Sequence, residues 1–130
     1  MFPDAKIIFA TSTPVNEAGF IEEFETRHNS DVEKYNAAAC EVLRGMDVTI
    51  NDLYGLIKDK PLDYFSDQTH FYTAAATKLL GGQVARILCD VLGIDHSFIR
   101  YPDAQKYHRP DDYTPDLLAF EKKGHIYVQK

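Results

Sequence analysis

The chain has 130 residues, of which 45% are hydrophobic and 26% are charged, and these values are typical of one globular domain with its own core. Its formal net charge of -6 argues against nucleic acid or an anionic membrane as the main partner, because both bind basic surfaces. No apolar run reaches transmembrane length. The start at Met1 lacks the basic residues and the apolar run of a signal peptide, so the cytoplasm is the default compartment.

The first predicted element is a strand over residues 5–10, a nearly continuous apolar run of the kind that is buried on both faces of a parallel sheet. Thr11, Ser12 and Thr13 follow, so three hydroxyl groups stand at the carboxyl end of the strand. Ligands gather at that end of open α/β sheets, whereas hydroxyls also satisfy the backbone of a turn. Both interpretations stay open on the sequence alone.

A helix follows a long polar segment. Residues 15–29 form a surface loop or contain a short helix, and His28 within them is a solvated side chain or a substrate contact. Ser30 and Glu33 have the spacing of a capping box, which predicts a helix that begins at Ser30 and ends near Gly45. Apolar residues at helical spacing predict the face that packs in the core, and these are Val32, Tyr35, Ala39, Val42, Leu43 and Met46.

A second strand is predicted over residues 47–54, with Asp52 at its carboxyl end. Asp52 either caps the next helix or serves as an acid near a site. Strand, helix and strand joined by short links imply a right-handed crossover and therefore parallel pairing. Residues 56–64 then predict one short helix and a turn.

Asp67 and His70 stand three residues apart in the loop before the last predicted helix. In such a loop the carboxylate can accept a hydrogen bond from one imidazole nitrogen while the other nitrogen faces outward. That arrangement supplies the general base and its orienting acid in a nucleophilic triad. The structural alternative is a histidine at a helix start that only hydrogen-bonds its aspartate.

The last helix is predicted from Thr73 to Gly93, where glycine fits the position after the C-cap. Gly81 and Gly82 lie in its middle and cost about 2 kcal/mol against two alanines, which predicts close packing against a neighbouring backbone or a break. Its apolar face is predicted to comprise Ala76, Leu79, Leu80, Val84, Ile87, Leu88 and Val91.

Two further features complete the pattern. Cys40 and Cys89 fall inside predicted helices, which favours small buried hydrophobic residues over a disulfide or a redox pair. Residues 1–94 form the predicted α/β unit, and residues 95–130 form a tail rich in Tyr and Pro, with a short helix at 115–123 and a terminal strand at 125–128.

Residues 4–93 resemble the C-terminal half of the SGNH (GDSL-like) hydrolases. The resemblance rests on four blocks in order: Thr11-Ser12-Thr13-Pro14, Tyr35-Asn36, Asn51-Asp52-Leu53-Tyr54 and Asp67-x-x-His70. It implies part of a flavodoxin-like three-layer α/β/α sandwich, with parallel strands and flanking helices. It also implies hydrolysis of carboxylic esters, often acetyl groups on carbohydrates. Asp67 resembles the triad acid of this family, and His70 resembles its general base.

Three blocks of that family are missing from the chain: the Gly-Asp-Ser nucleophile block, the glycine block of the oxyanion hole and the Gly-x-Asn-Asp block. None of Ser12, Ser30, Ser66 and Ser97 stands in a nucleophile sequence. The expectation is therefore a C-terminal fragment, a truncated gene product or a half-domain that is inactive alone, because acyl transfer needs a nucleophile and oxyanion donors. Such a half-domain is expected to form a homo-oligomer or to bind a complementing N-terminal half.

Two other functions remain as alternatives. The chain is a non-catalytic assembly or binding domain on the same scaffold, or it performs metal-assisted chemistry with His70, Asp67 and His108 together with Asp111 or Asp112. The histidine spacings match no compact ligand motif, so no metal is expected. No glycine-rich phosphate loop follows a strand, so no cofactor is expected either.

Overall fold

The computed structural model describes residues 4–19 and 27–97, and within these ranges it contains two strands and three α-helices. In chain order the elements are β1 (Ile7–Ala10), a 3-10 turn (Glu17–Gly19), α1 (Asn29–Val42), β2 (Val48–Asn51), α2 (Leu53–Ile57), a second 3-10 turn (Leu62–Tyr64) and α3 (Ala74–Leu92). The helix predicted at 115–123 and the strand predicted at 125–128 lie outside the described residues.

β1 and β2 lie side by side and run in the same direction. Ile7 is opposite Val48, and the register continues to Ala10 opposite Asn51. Because α1 connects the two strands, the described residues form a small mixed α/β unit. The predicted parallel pairing is confirmed.

The second strand ends at Asn51 rather than at Tyr54, because Asp52 begins a helix. The Asp52 side chain accepts a hydrogen bond from the Gly55 amide at 2.9 Å, so the interpretation of Asp52 as a helix cap is confirmed. The Thr11 hydroxyl donates to the same carboxylate at 2.9 Å and accepts from the Tyr54 amide at 2.9 Å. These bonds tie the carboxyl ends of both strands together, so the Thr11 hydroxyl has a structural role.

α1 begins at Asn29, one residue before the predicted start, with His28 at the N-cap. The predicted capping box is wrong, because the Asn29 amide donates instead to the Glu17 carboxylate of the preceding segment, at 2.6 Å. Ser30 therefore lies inside the first turn of the helix.

The buried face of α1 also differs from the prediction. Tyr35 is 75% exposed and Val42 is 70% exposed, so much of the apolar stripe faces outward. The residues that face inward recur at helical spacing and are Asn29, Glu33, Asn36 and Cys40. Asn29 and Asn36 are buried because the segment after β1 supplies hydrogen-bond partners, a compensation that a hydrophobic pattern does not report.

Two asparagine side chains of α1 hold the segment that follows β1. The Asn36 amide group accepts from the Ser12 backbone N–H at 2.8 Å and donates to the Ser12 carbonyl at 2.9 Å. Asn29 makes the same pair of bonds with Val15, at 2.8 Å each. Because the two asparagines lie two turns apart on one face, they fix this segment along the helix.

Apolar packing occurs in two clusters. One contains Cys40, Val48 and Ile50, with Phe9 and Leu43 packed against it. The other contains Leu56, Ile57, Ala76 and Leu79. Ile7 is 58% exposed, so the prediction that the first strand is buried on both faces is wrong for the described residues.

α3 confirms the predicted boundaries of the last helix. The Thr73 side chain caps its start by accepting from the Ala76 amide, and Gly93 ends it with a φ of 67°. The helix is unbroken at Gly81, and apart from the adjacent backbone of α3 no atom lies within 4 Å of the place a Gly81 side chain would occupy, so the predicted close packing is wrong there. The buried face contains Ala76, Leu79, Gln83 and Ile87, whereas Val84 and Leu88 of the predicted face are partly exposed.

We expect Gly81→Ala to raise the free energy of unfolding by about 1 kcal/mol, because alanine restricts the unfolded chain and meets no atom in the folded one. Gly93→Ala is the matched control, since the left-handed backbone at Gly93 disfavours any side chain by about 1–2 kcal/mol. Urea unfolding of both variants measures the difference. A destabilised Gly81→Ala variant would mean that Gly81 faces a close neighbour.

The cysteines occupy helices, as predicted. Cys40 is buried, Cys89 is half-buried, and neither forms a disulfide. Burial, and secondarily the charge of Asp52, raises the pKa of the Cys40 thiol, as expected of an inert core residue. In the part of the chain that the structure describes, no helix has the length and apolar character needed to cross a bilayer.

Candidate functional site

The loop from Ser66 to Tyr72 is closed by its own hydrogen bonds. The Ser66 amide donates to the His70 carbonyl at 2.8 Å, and the Ser66 hydroxyl accepts from the Tyr72 amide. Asp67 accepts from the backbone amides of Thr69 and His70, at 2.8 Å each. The side chains at positions 67 and 70 are therefore brought to one side of a compact turn, as predicted from their spacing.

The Asp67 carboxylate lies against one nitrogen of the His70 imidazole. The distances from Nδ1 to Oδ2 and Oδ1 are 2.7 and 3.0 Å. This contact places the proton on Nδ1 and leaves the lone pair on Nε2, which forms no hydrogen bond with any described residue. Tyr72 stacks on the imidazole with 5.1 Å between ring centroids and 13° between planes. An imidazole held in this way can accept a proton at Nε2.

The electrostatics of the loop keep Asp67 ionised. Hydrogen bonds from the Thr69 amide and then from the His70 side chain lower the pKa of the Asp67 carboxyl to about 2. Both side chains are about half exposed, at 42% for Asp67 and 53% for His70. This exposure leaves Nε2 of His70 accessible to a reacting group. It also means that dissolved salt screens the electrostatic attraction between Asp67 and His70.

We expect the Asp67 carboxyl to titrate near pH 2 instead of near its ordinary value of 3.8. Because the folded-state pKa is lowered, its contribution to stability is present above about pH 4 and is lost as the pH falls toward 2. The ¹³C shift of Asp67 Cγ against pH measures this. His70→Asn should raise the midpoint only in part, because the Thr69 amide bond remains. A wild-type midpoint near 3.8 would contradict the hydrogen-bonded geometry.

A cleft of about 540 Å³ lies where the segment after β1 meets the start of α1. Ser12, Thr13 and Thr69 line it, so hydroxyls at the carboxyl end of β1 and the residue next to His70 share one cavity. The two residues before α1 and its first two turns contribute the rest of the lining, which is Arg27, His28, Asp31, Val32 and Tyr35. Ser12 and Thr13 thus stand at a cavity, as the ligand interpretation of these hydroxyls expects, whereas Thr11 does not line it.

His28 faces this cleft and is 52% exposed. Its Nδ1 lies 3.7 Å from a carboxylate oxygen of Glu17, whose side chain is 8% exposed. The side chain is therefore neither fully solvated nor a member of the Asp67–His70 pair. The cleft gives it access to a bound ligand.

The described residues supply no evident nucleophile for His70. The Ser66 hydroxyl accepts from the Tyr72 amide, and no described serine hydroxyl hydrogen-bonds to Nε2. Among residues 4–19 and 27–97, no group of three or more His, Cys, Asp or Glu side chains is arranged to hold a metal ion. His108, Asp111 and Asp112 of the metal alternative lie outside the described residues.

Sequence reasoning gave no positioning role to three residues that shape the site, although Asn36 belongs to the Tyr35-Asn36 block that carries the resemblance. Asn29 and Asn36 hold Val15 and Ser12 of the cleft wall, and Gln68 bonds to Asn16 and Gly19 just after that wall, from the loop of Asp67 and His70. The seven-residue spacing of the asparagines on one helix face was the available signal. Gln68 had none, because its partners are backbone atoms distant in sequence.

Comparison of the chain with protein-family models, with curated proteins and with solved structures found no match in any of the three.

Proposed function

We propose that these residues form the acid–base half of an SGNH-like ester hydrolase, in which His70 is the general base and Asp67 orients it. The observation that carries the proposal is the contact of Asp67 with Nδ1 of His70, which leaves Nε2 for a reacting hydroxyl. The serine nucleophile and the oxyanion donors come from residues outside these 130, since the sequence blocks that supply them are missing here.

The position of the pair in the fold supports this proposal. β1 and β2 are parallel, and the segment that follows β1 forms one wall of the cleft. Ligands bind at the carboxyl ends of parallel strands, and Thr69 connects that cleft with the loop of His70. The finer assignment that we propose is the back end of a flavodoxin-like sandwich, with a carboxylic or acetyl ester, including one on a carbohydrate, as substrate.

The same proposal includes a partner that completes the sheet. Among the described residues β1 has one neighbouring strand, and a two-stranded sheet is marginal by itself. Ile7 on β1 is 58% exposed, and Tyr35 and Val42 on α1 are more exposed still. Exposed apolar side chains, together with a strand edge that no described strand pairs, favour association with a second copy or with a complementing N-terminal half.

We expect the purified chain to sediment as a dimer or larger species at micromolar concentration. Ile7→Lys should shift it toward monomer, because a charge on the exposed face of β1 opposes pairing. Thr77→Lys adds the same charge at an exposed position of α3 and should leave the association unchanged. Monomer alone, in the wild type and both variants, would contradict association through β1.

A non-catalytic assembly or binding domain is the second candidate. It is favoured by the exposed apolar residues and by the lack of a described serine at Nε2 of His70. In that case the Asp67–His70 contact only stabilises the loop before α3. The two candidates differ in one property, which is hydrolysis by a protein that contains these residues together with their natural flanking sequence.

The experiment that separates them is an ester assay on the longest natural reading frame that contains these residues. The substrate should be an unactivated alkyl or sugar acetate, because a free imidazole attacks activated aryl esters by itself. We expect saturable acetate release that a fluorophosphonate abolishes. No hydrolysis across a panel of acetylated alcohols and sugars would favour the assembly domain and overturn the hydrolase proposal.

A further inference from the structure

Hydrogen bonds fix Asp67 and His70 relative to each other. None of these bonds fixes the pair relative to the cleft. Every hydrogen bond of the two side chains within the described residues lies between positions 67 and 70. Phe65 and Phe71 anchor the base of the loop, with 4.3 Å between ring centroids, and Phe71 packs against the cluster below α3. The tip of the loop needs a separate contact to hold it, with Thr69 at the cleft, against the segment that follows β1.

Gln68 supplies that contact. Its side-chain amide donates to the Gly19 carbonyl at 2.9 Å, and its backbone carbonyl accepts from the Asn16 amide at 2.8 Å. The Gly19 amide in turn donates to the Asn16 carbonyl at 3.0 Å, which closes the partner segment into a turn. One residue between Asp67 and His70 thus bonds to both ends of the 3-10 turn that follows β1.

The contact between Gln68 and Gly19 is also sterically close. A side chain added at Gly19 would place its Cβ 2.9 Å from Cγ of Gln68, so one of the two residues would have to move. The absence of a side chain at position 19 allows the glutamine to lie across the turn. The contact can therefore be disturbed from either side, which permits a double-mutant test.

The segment that receives Gln68 is held by α1. Val15, the residue before Asn16, is bonded through both its backbone groups to the buried Asn29 side chain. Ser12, on the wall of the cleft, is bonded in the same way to Asn36. A continuous set of contacts therefore runs from the cleft wall, through the turn at Asn16, to the loop of His70.

We propose that Gln68 is a positioning residue, which holds the loop of His70 against the segment that lines the cleft. Its importance for catalysis rests on the proposed hydrolase function, whereas the positioning itself is a property of the chain alone. Gln68 touches neither Asp67 nor the imidazole through a side-chain hydrogen bond. Loss of the Gln68 side chain should therefore leave the Asp67–His70 contact intact. The two residues should then move together relative to the segment that follows β1.

Backbone ¹⁵N relaxation of the 130-residue chain tests the positioning. In the wild type we expect order parameters of about 0.85 at Thr69 and His70. In Gln68→Ala we expect lower values at both residues, because the bond to Gly19 is lost while the backbone bond to Asn16 remains. Nδ1 of His70 should stay protonated in both proteins. Gly19→Ala should reproduce the change, and the double variant should add nothing to it. Gln68→Glu keeps the shape without the donated bond and should also loosen the loop. Unchanged order parameters in Gln68→Ala would overturn the proposal.

Labelling of the longest natural reading frame by a fluorophosphonate tests the catalytic consequence. Gln68→Ala should slow labelling on the order of 10–100-fold without moving its pH midpoint, because a misplaced but intact base keeps its titration. Gly93→Ala, which destabilises the far end of α3, should label at the wild-type rate. A loosened loop with an unchanged labelling rate would overturn the catalytic role. If no protein is labelled, the hydrolase proposal fails and the relaxation result decides the positioning.

Discussion

Replacing His70 by asparagine in the longest natural reading frame that contains these residues should reduce ester hydrolysis on the order of 10³–10⁶-fold. The asparagine amide can donate one bond to the Asp67 carboxylate, but it cannot take a proton from a serine hydroxyl at neutral pH. The loss should appear in kcat with little change in KM, since the imidazole acts on the transition state. Initial rates of acetate release against substrate concentration give both constants.

His96 provides a matched control within the same chain. Its Nε2 lies 2.7 Å from a carboxylate oxygen of Asp90, so it also belongs to a histidine–aspartate pair. Asp90 is in the last turn of α3, whereas the loop of His70 precedes the first turn. The 19 residues of this helix give it a length of about 28 Å, so the two histidine–aspartate pairs lie near opposite ends of it. His96→Asn should hydrolyse the ester at nearly the wild-type rate. Equal losses in the two variants would indicate a general effect on folding, and a fully active His70→Asn would refute the general-base role.

The 130-residue chain alone should release acetate from an unactivated ester no faster than buffer. In the proposed function it contains the base and its orienting acid without the nucleophile, and a triad without its nucleophile loses nearly all of its catalysis. A fluorophosphonate should accordingly label none of its serines, which are Ser12, Ser30, Ser66 and Ser97. Intact-mass measurement after overnight incubation detects a single adduct.

This result is informative only if the chain is folded. The Asp67 titration near pH 2 and the urea unfolding transition of the wild-type chain, measured in the same preparation, report the folded state. A folded chain that hydrolyses the ester and loses this activity in Ser66→Ala would place the nucleophile inside these residues. That outcome would refute the proposal that the attacking group lies elsewhere.

The elements that could be predicted are those whose signals are local. The start of α3 at Thr73 and its end at Gly93 follow from side-chain capping and from a left-handed backbone, both encoded in a few adjacent residues. The parallel pairing of β1 and β2 follows from the handedness of a strand–helix–strand crossover. The contact of Asp67 with His70 follows from their spacing in a tight turn.

The elements that could not be predicted depend on partners distant in sequence. Ser30 has the sequence of a cap, but Glu17 supplies the bond at the helix start, and Asn29 takes the buried position. Hydrophobic periodicity placed Tyr35 and Val42 in the core, whereas Asn36 occupies the inward face because the Ser12 backbone satisfies its amide. The cleft beside Thr69 depends on the same long-range bonds, so the sequence could suggest its hydroxyls but not its walls.

The most direct test of the account is the site of fluorophosphonate attachment in the longest natural reading frame that contains these residues. Peptide mapping by mass spectrometry should find one adduct, on the serine of a Gly-Asp-Ser block encoded upstream of Met1, and His70→Asn should prevent its formation. An adduct on Ser12, Ser30, Ser66 or Ser97 would contradict the account, as would a frame with no reactive serine.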